Sequence, residues 1–378
     1  MTEGVEPLAR TVLITGGAGF IGSHLADELL RAGDRVRVLD SLVDQVHEGA
    51  ARPPYLDREV ELQSGDIRDR AVVEAAIDGV DAVVHLAARV GVGQSMYEIA
   101  EYAAANTVGT AVLLEALLDR PVGKLVVASS MSVYGEGLYV TTEGTPVVAE
   151  ERTRAQLEAR EWDPRGPNGE ELRPVPTPET KPPALSSVYA LTKYDQERLC
   201  LVFGAAYNVP TVALRLFNVY GPRQALSNPY TGVLAIFAAR FLNDKPPLVY
   251  EDGHQRRDFV SVYDVARAFR RALDDDGADG RVVNVGSGES ASVLEIAGQL
   301  ARVLGKEHLE PEVTGRARTG DIRHCFADIS LARELLGLEP QVRLEDGMRE
   351  LAQWLAGQVA TDRVDAASQE LASRGLTL

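Results

Sequence analysis

The 378-residue chain sets 39 Lys and Arg against 56 Asp and Glu, a formal charge of −17 at pH 7, with 45% apolar and 25% charged residues. That composition is ordinary for a globular protein of two or three domains; its acidity excludes broad binding to nucleic acid or to an anionic membrane surface, both of which need excess Lys and Arg. The two cysteines, Cys200 and Cys325, offer no disulfide framework and suit a reducing cytoplasm, and neither the opening MTEGVEPLAR nor any later stretch has the apolar run of a signal core or a membrane span.

Short apolar runs alternate with helical spacing over the first third. TVLIT (11–15), RVRVLD (35–40), VELQSGD (60–66), DAVVHLAA (81–88) and KLVVASS (124–130) read as strands, and Ile21–Ala32 and Asn106–Leu118 carry apolar residues at helical intervals. Such alternation predicts an α/β protein built on a Rossmann-type, doubly wound parallel sheet. A helix is expected over Ser187–Tyr207, followed by a strand in TVALRLFNVYG (211–221). Beyond about residue 217 the pattern is mixed, with RRDFVSVYDVA and VVNVGSGES as landmarks. Residues 8–216 are therefore read as one domain and 217–378 mainly as a smaller C-terminal α/β lobe, with a segment near 258–285 returning to the first. Residues 138–183 interrupt this order. They include EWDPRGPNGEELRPVPTPETKPP, show little apolar periodicity and contain no Cys or His for a metal site. A structureless stretch of that length is uncommon inside a domain, and it reads as a surface excursion near the mouth of a site.

Gly16, Gly19 and Gly22 follow the first strand and open the first helix in TGGAGFIGSH. Glycine at this period lets backbone N–H groups approach a pyrophosphate at the positive end of a helix. Asp40 ends the second strand, 18 residues beyond Gly22, where an acid accepts the adenosine ribose hydroxyls and repels a 2′-phosphate. NAD is thereby preferred over NADP, although Arg35 and Arg37 lie nearby. Asp66, in SGDIRD, could meet an adenine amino group or simply cap the next helix.

ASSMSVYGEG (128–137) places three serines at the carboxyl end of a strand, where open α/β sheets hold their ligands. Tyr189 and Lys193, in YALTK, stand i, i+4 on one helical face. An ammonium beside a phenol favours the phenolate and lowers its pKa.

In order along the chain, TGGAGFIG, HLAA, ASSMSVYG, YALTK, LRLFNVYGP, RRDFVSVYDVA and GDIRHCFAD resemble the extended short-chain dehydrogenase/reductase family of NAD-dependent sugar-nucleotide epimerases and dehydratases. The resemblance covers nearly the whole chain. It implies that Tyr189 is the acid/base, that Lys193 tunes it and holds the nicotinamide ribose, and that Ser130 bonds the reacting sugar oxygen. Ser132 would line the sugar pocket, and Ser129 is read as structural. The resemblance also implies NAD contacts from Gly16, Gly19, Phe20, Ile21, Gly22, Asp40, Asp66, Ile67, Leu86, Ala87 and Asn106. Asn218, Arg257, Arg318 and Asp321 would surround the nucleotide diphosphate and its ribose.

Arginine suits phosphate recognition, and Arg256, Arg257, Arg316, Arg318 and Arg323 cluster in the second lobe. The 4,6-dehydratases of the family carry Asp and Glu directly after the catalytic hydroxyl. Met131 and Ser132 stand there instead, and neither can serve an elimination as acid or base. The expectation is therefore a nucleotide-diphospho-sugar 4-epimerase working through a 4-keto intermediate. The 138–183 insertion, DQVHEGAARPPY (44–55) and GVGQSMYEIAEY (91–102) are similar to the bacterial dTDP-L-rhamnose 4-epimerases. UDP-glucose and UDP-glucuronate remain alternative substrates, and an NAD(P)H-dependent reductase or a non-catalytic nucleotide-binding protein alternative classes. Met131, Val92 or Val133 would contact a 6-deoxy methyl group. The resemblance also implies that the helices containing Glu98–Leu118 and Ser187–Tyr207 pair with a second subunit in a homodimer, although their sequence fits packing within one chain equally well.

Overall fold

The computed structural model describes residues 9–47, 51–230, 232–318 and 320–378. The acidic start of the chain and three residues of the 44–55 segment thus lie outside the described residues. The central sheet has seven strands, all parallel: β1 (Thr11–Thr15), β2 (Arg35–Asp40), β3 (Glu61–Ser64), β4 (Ala82–His85), β5 (Lys124–Ser130), β6 (Thr211–Leu216) and β7 (Val282–Val285). Their spatial order is 3-2-1-4-5-6-7. The order reverses between β1 and β4, which fixes the ligand crevice above their carboxyl ends.

Side-chain alternation explains why these runs form a two-faced sheet. Val12, Ile14, Val126, Ala128, Val212 and Leu214 pack on one face, under the helices Phe20–Arg31 and Val262–Asp274. Leu13, Leu125, Val127 and Ala213 pack on the other, under Arg70–Ile77, Gly109–Asp119 and Val188–Tyr207. Both faces are covered, so the strands read as continuous apolar runs. The Val188–Tyr207 helix begins where the Ser187 hydroxyl accepts the Ala190 N–H at 3.1 Å and ends at left-handed Asn208.

The TVALRLFNVYG run is not one strand. It breaks at Phe217, whose N–H donates to Val285, and resumes at Asn218–Tyr220 beside Phe259–Ser261 in a separate parallel pair. The break carries Asn218 away from the central sheet. Beyond it, the helices Val233–Leu242, Val293–Val303 and Leu344–Leu355 pack on one another around Phe237, Phe241, Ile296, Leu300 and Leu351.

The 138–183 segment is more ordered than its composition suggests. Strands Leu138–Val140, Pro146–Val148 and Arg173–Val175 form an antiparallel sheet, and Arg154–Glu158 is helical behind a Thr153 capping box. The segment is pinned to the second lobe. Buried Arg152 donates to the Glu251 carboxylate at 2.7 Å and to the Asp321 carbonyl at 2.9 Å, while Asp163 pairs with Arg323 at 2.8 Å. Polar anchors of this kind leave no apolar period in the sequence. No helix among the described residues is long and apolar enough to cross a membrane.

Candidate active site

Two adjoining cavities open above the carboxyl ends of the strands. One, of about 390 Å³, is lined by the glycine turn, Asp40, Asp66, Leu86 and Lys193. The other, of about 430 Å³, is lined by Ser132, Asn218, Arg257, Arg318 and Asp321. Ser130 and Tyr189 belong to both walls.

In the first cavity, two of the three glycines answer to the protein itself. At Gly16, with φ +71°, a Cβ would sit 2.8 Å from the Ala87 Cα, and at Gly22 it would sit 2.5 Å from the Gly17 Cα. At Gly19 a Cβ would meet only the Gly16 carbonyl, at 3.4 Å, so the space it would fill is cavity. The Phe20–Arg31 helix has no side-chain N-cap and no acid in its first turn. Its first N–H groups stay available to an anion at the positive helix end. Phe20, Ile21, Ile67, Leu86 and Ala87 complete an apolar lining. These residues fit a dinucleotide.

Asp40 does more than end β2. Its Oδ2 accepts the Ala18 N–H of the glycine turn at 3.0 Å and its Oδ1 the Leu42 N–H at 2.9 Å. Asp66 does not cap the next helix; Asp69 does, accepting from Ala71 N and Val72 N. The Asp66 carboxylate is instead gripped by Arg68, through the backbone N–H at 2.8 Å and the guanidinium at 2.7 Å. Both side chains line the cavity. Asn106 departs from expectation. It is fully buried in a π-helical turn, Ala103–Val108, and its neighbour Ala105, not Asn106, lines the cavity. Its amide is used up by the Arg89 backbone, at 2.7 and 3.1 Å, and by Thr192 at 3.0 Å, so it braces the cavity wall from behind.

At the junction, the Ser130 hydroxyl accepts from Ser132 N at 3.2 Å and from Ser132 Oγ at 2.9 Å. Its own proton takes no part in those two bonds, and the nearby hydroxyl favours the Tyr189 phenolate. Ser130 is therefore both the cap of a short 3₁₀ turn, Met131–Tyr134, and a cavity group. Ser129 turns the other way, donating at 2.7 Å to buried Glu197, which is paired with Arg215.

The expected electrostatics of Tyr189 need correction. Burial raises its pKa, and the opposing influence is the nearby Ser130 hydroxyl, not the ammonium. Lys193 is itself brought down to about 8 by burial. Its Nζ donates to Gln196 Oε1 at 2.6 Å. The Gln196 amide donates in turn to the Ala87 carbonyl at 3.1 Å and to Thr110 Oγ1 at 2.9 Å. His85 completes this buried network against Thr15 at 2.7 Å, held neutral because burial lowers its pKa to about 3.

In the second cavity the arginine cluster divides. Arg257 faces the cavity while donating to the Arg256, Arg323 and Ile322 carbonyls. Arg318 stacks 4.4 Å from the Tyr250 ring centroid and donates to Asp321 at 2.8 Å. Arg256 is held by Ser290, and Arg323 is buried against Glu251, Asp252 and Asp163, so neither lines the cavity. Arg316 does not line it either. Asn218 Oδ1, Gln224 Oε1 and Gln255 Oε1 are buried acceptors without partners among the described residues, all on residues of this wall. Met131 and Val92 line the cavity, whereas Val133 is core. The wall also takes Tyr250, Gln255 and the C-terminal Ser368, Leu371 and Leu376, none singled out from the sequence. Tyr250 had no local signal, and the C-terminal residues reach the site only through tertiary packing.

A fold of this topology with a glycine turn, a Ser/Tyr/Lys group and a basic second cavity defines a dinucleotide-dependent enzyme of the short-chain dehydrogenase/reductase type. The chain belongs to the NAD dependent epimerase/dehydratase family, whose model matches residues 12–156 and 166–286, and its cofactor is NAD. It is 38% identical over 354 residues to the dTDP-L-rhamnose 4-epimerase of Burkholderia thailandensis, covering 93% of this chain and 96% of that one. Among solved structures it is similar to the UDP-glucose 4-epimerase of Thermus thermophilus in complex with NAD, with a TM-score of 0.73 and 32% identity over 92% of this chain and 100% of that one. It is also similar to the UDP-glucuronic acid 4-epimerase of Bacillus cereus in complex with UDP-glucuronic acid and NAD, with a TM-score of 0.75 and 29% identity over 92% of this chain and 99% of that one.

Proposed function

We propose that the protein is an NAD-dependent 4-epimerase of a nucleotide-diphospho-sugar, converting dTDP-L-rhamnose to dTDP-6-deoxy-L-talose. The observation that carries the reading is the position of Ser130 and Tyr189 in the wall common to both cavities. A sugar whose diphosphate is held by Arg257 and Arg318 is thereby presented to a phenol that also faces the cofactor side. Bound NAD supplies the hydride acceptor and donor for C4. Tyr189 takes the C4 hydroxyl proton during oxidation and returns it after the keto sugar has turned about its link to the diphosphate. Ser130 donates to the same sugar oxygen, and Lys193, held by Gln196, orients the cofactor ribose. Asp321 accepts from the nucleotide ribose, and Asn218 and Ser132 flank the sugar.

The choice of a 6-deoxy sugar is supported by the apolar wall of Met131, Val92 and Leu371. It is also supported by the dTDP-L-rhamnose 4-epimerase relative. We take residues up to 216, with the 258–285 segment, as the cofactor domain and the remainder as the sugar-nucleotide lobe. We also take the working form to be a cytoplasmic homodimer.

The test is incubation with dTDP-L-rhamnose, UDP-glucose and UDP-glucuronate separately, without added cofactor, followed by NMR of the sugar. Inversion at C4 of dTDP-L-rhamnose is expected. Inversion of a UDP-sugar alone overturns the substrate, and no inversion of any of the three overturns the reaction.

A further inference from the structure

The 44–55 and 91–102 segments, far apart in sequence, meet over the cofactor cavity. Gln45 follows β2 and Gln94 follows β4; those strands flank β1, from which the glycine turn emerges. Gln45 Nε2 donates to Gln94 Oε1 at 3.0 Å and to Asn228 Oδ1 at 3.1 Å. One side-chain amide thus joins three segments, one of them beyond the break at Phe217. All three residues line the cofactor cavity. The outer two are fixed in place. Gln94 Nε2 donates to Glu98 at 3.0 Å and Tyr102 OH donates to Gln94 Oε1 at 3.4 Å, while Asn228 Oδ1 also accepts the Tyr230 N–H at 3.0 Å. The Gln45 loop is tied at its root to the Leu42 N–H bond of Asp40, the carboxylate that also holds the glycine turn.

We propose that Gln45, Gln94 and Asn228 form a hydrogen-bonded clasp across the cofactor cleft that retains NAD and NADH between the two halves of the cycle. A dinucleotide under the clasp leaves only after the hydrogen bonds made by the Gln45 side chain break. An enzyme that returns the reducing equivalent to the same sugar loses a turnover each time NADH escapes. The clasp rests on the use of NAD, not on the identity of the sugar.

The test is the rate at which bound NADH leaves the reduced holoenzyme, read by the loss of bound-NADH fluorescence on mixing with excess NAD. Gln45→Leu keeps the side chain's bulk and removes the donor; NADH release should quicken about tenfold, the scale of one or two neutral hydrogen bonds. Asn228→Leu should quicken it less. The double variant should match Gln45→Leu, because a single amide makes both bonds. Release within twofold of wild type in Gln45→Leu at unchanged Tm overturns the clasp, as does full additivity of the two substitutions. If Gln45→Leu does not fold, Asn228→Leu carries the same reading, with an unchanged rate counting against the proposal. Because NADH release is followed without any sugar, failure of the substrate reading leaves this result intact.

Discussion

At Tyr189 and Lys193, four residues apart on one helix, burial acts on each side chain in its own direction. It raises the phenol and lowers the ammonium, and the Ser130 hydroxyl is the group that opposes the rise at Tyr189. Tyr189→Phe removes the transferable proton while keeping the ring, and should lower kcat by about 10²–10⁴-fold with the KM for the sugar nucleotide little changed. Retained turnover in a steady-state assay would remove Tyr189 from the acid/base role. Lys193 has a pH signature. Its folded pKa of about 8 lies below the ordinary 10.5, so the unfolded chain holds the proton more tightly. The stability it contributes is present above pH 10.5 and is lost as pH falls through about 8. The stability of wild type relative to Lys193→Met should therefore climb between those pH values in urea unfolding; a flat difference would place the ammonium in water.

Among the elements, the 138–183 insertion changes character most between sequence and structure. Its Pro, Glu and Thr content reads as an excursion, yet Arg152 is buried among Glu136, Glu251 and the Asp321 carbonyl. Removing one partner from a buried ion pair leaves the other charged and desolvated. Arg152→Met should cost about 3 kcal/mol of stability in urea unfolding. It should also raise the KM for the sugar nucleotide more than it lowers kcat, because the Asp321 carbonyl loses its donor. An unchanged KM would confine Arg152 to scaffolding. The π-helical turn at Ala103–Val108 is a second element that the apolar spacing over Asn106–Leu118 did not resolve. It seats Asn106 against Thr192 and the Arg89 backbone, whereas the family resemblance implied a contact with NAD.

At the scale of the whole molecule, the helices around Gly109–Asp119 and Val188–Tyr207 leave apolar side chains in water. Val108 is 52% exposed, Leu191 46% and Val202 58%. Apolar residues gathered on two adjacent helices fit a partner surface better than solvent, and a second copy of this chain would bury them. Sedimentation velocity should find a dimer that Val202→Glu shifts toward monomer; a monomeric wild type at micromolar concentration would overturn the homodimer.

The sequence by itself determined what rests on local order. Short continuous apolar runs set the strands, the glycine period after β1 set the helix start that fits a phosphate, and the i, i+4 interval put Tyr189 and Lys193 on one face. These features depend on residues within a few positions of one another, where backbone geometry leaves little choice. The tertiary structure alone decided which distant groups each polar side chain meets. Gln196 takes the Lys193 ammonium, Asp69 takes the cap that Asp66 could have made, Arg323 leaves the phosphate side for a buried acid cluster, and the C-terminal Leu371 and Leu376 close the sugar-side wall. A hydrogen bond or ion pair has no sequence period. Its partner is chosen only when packing brings the two groups together out of water.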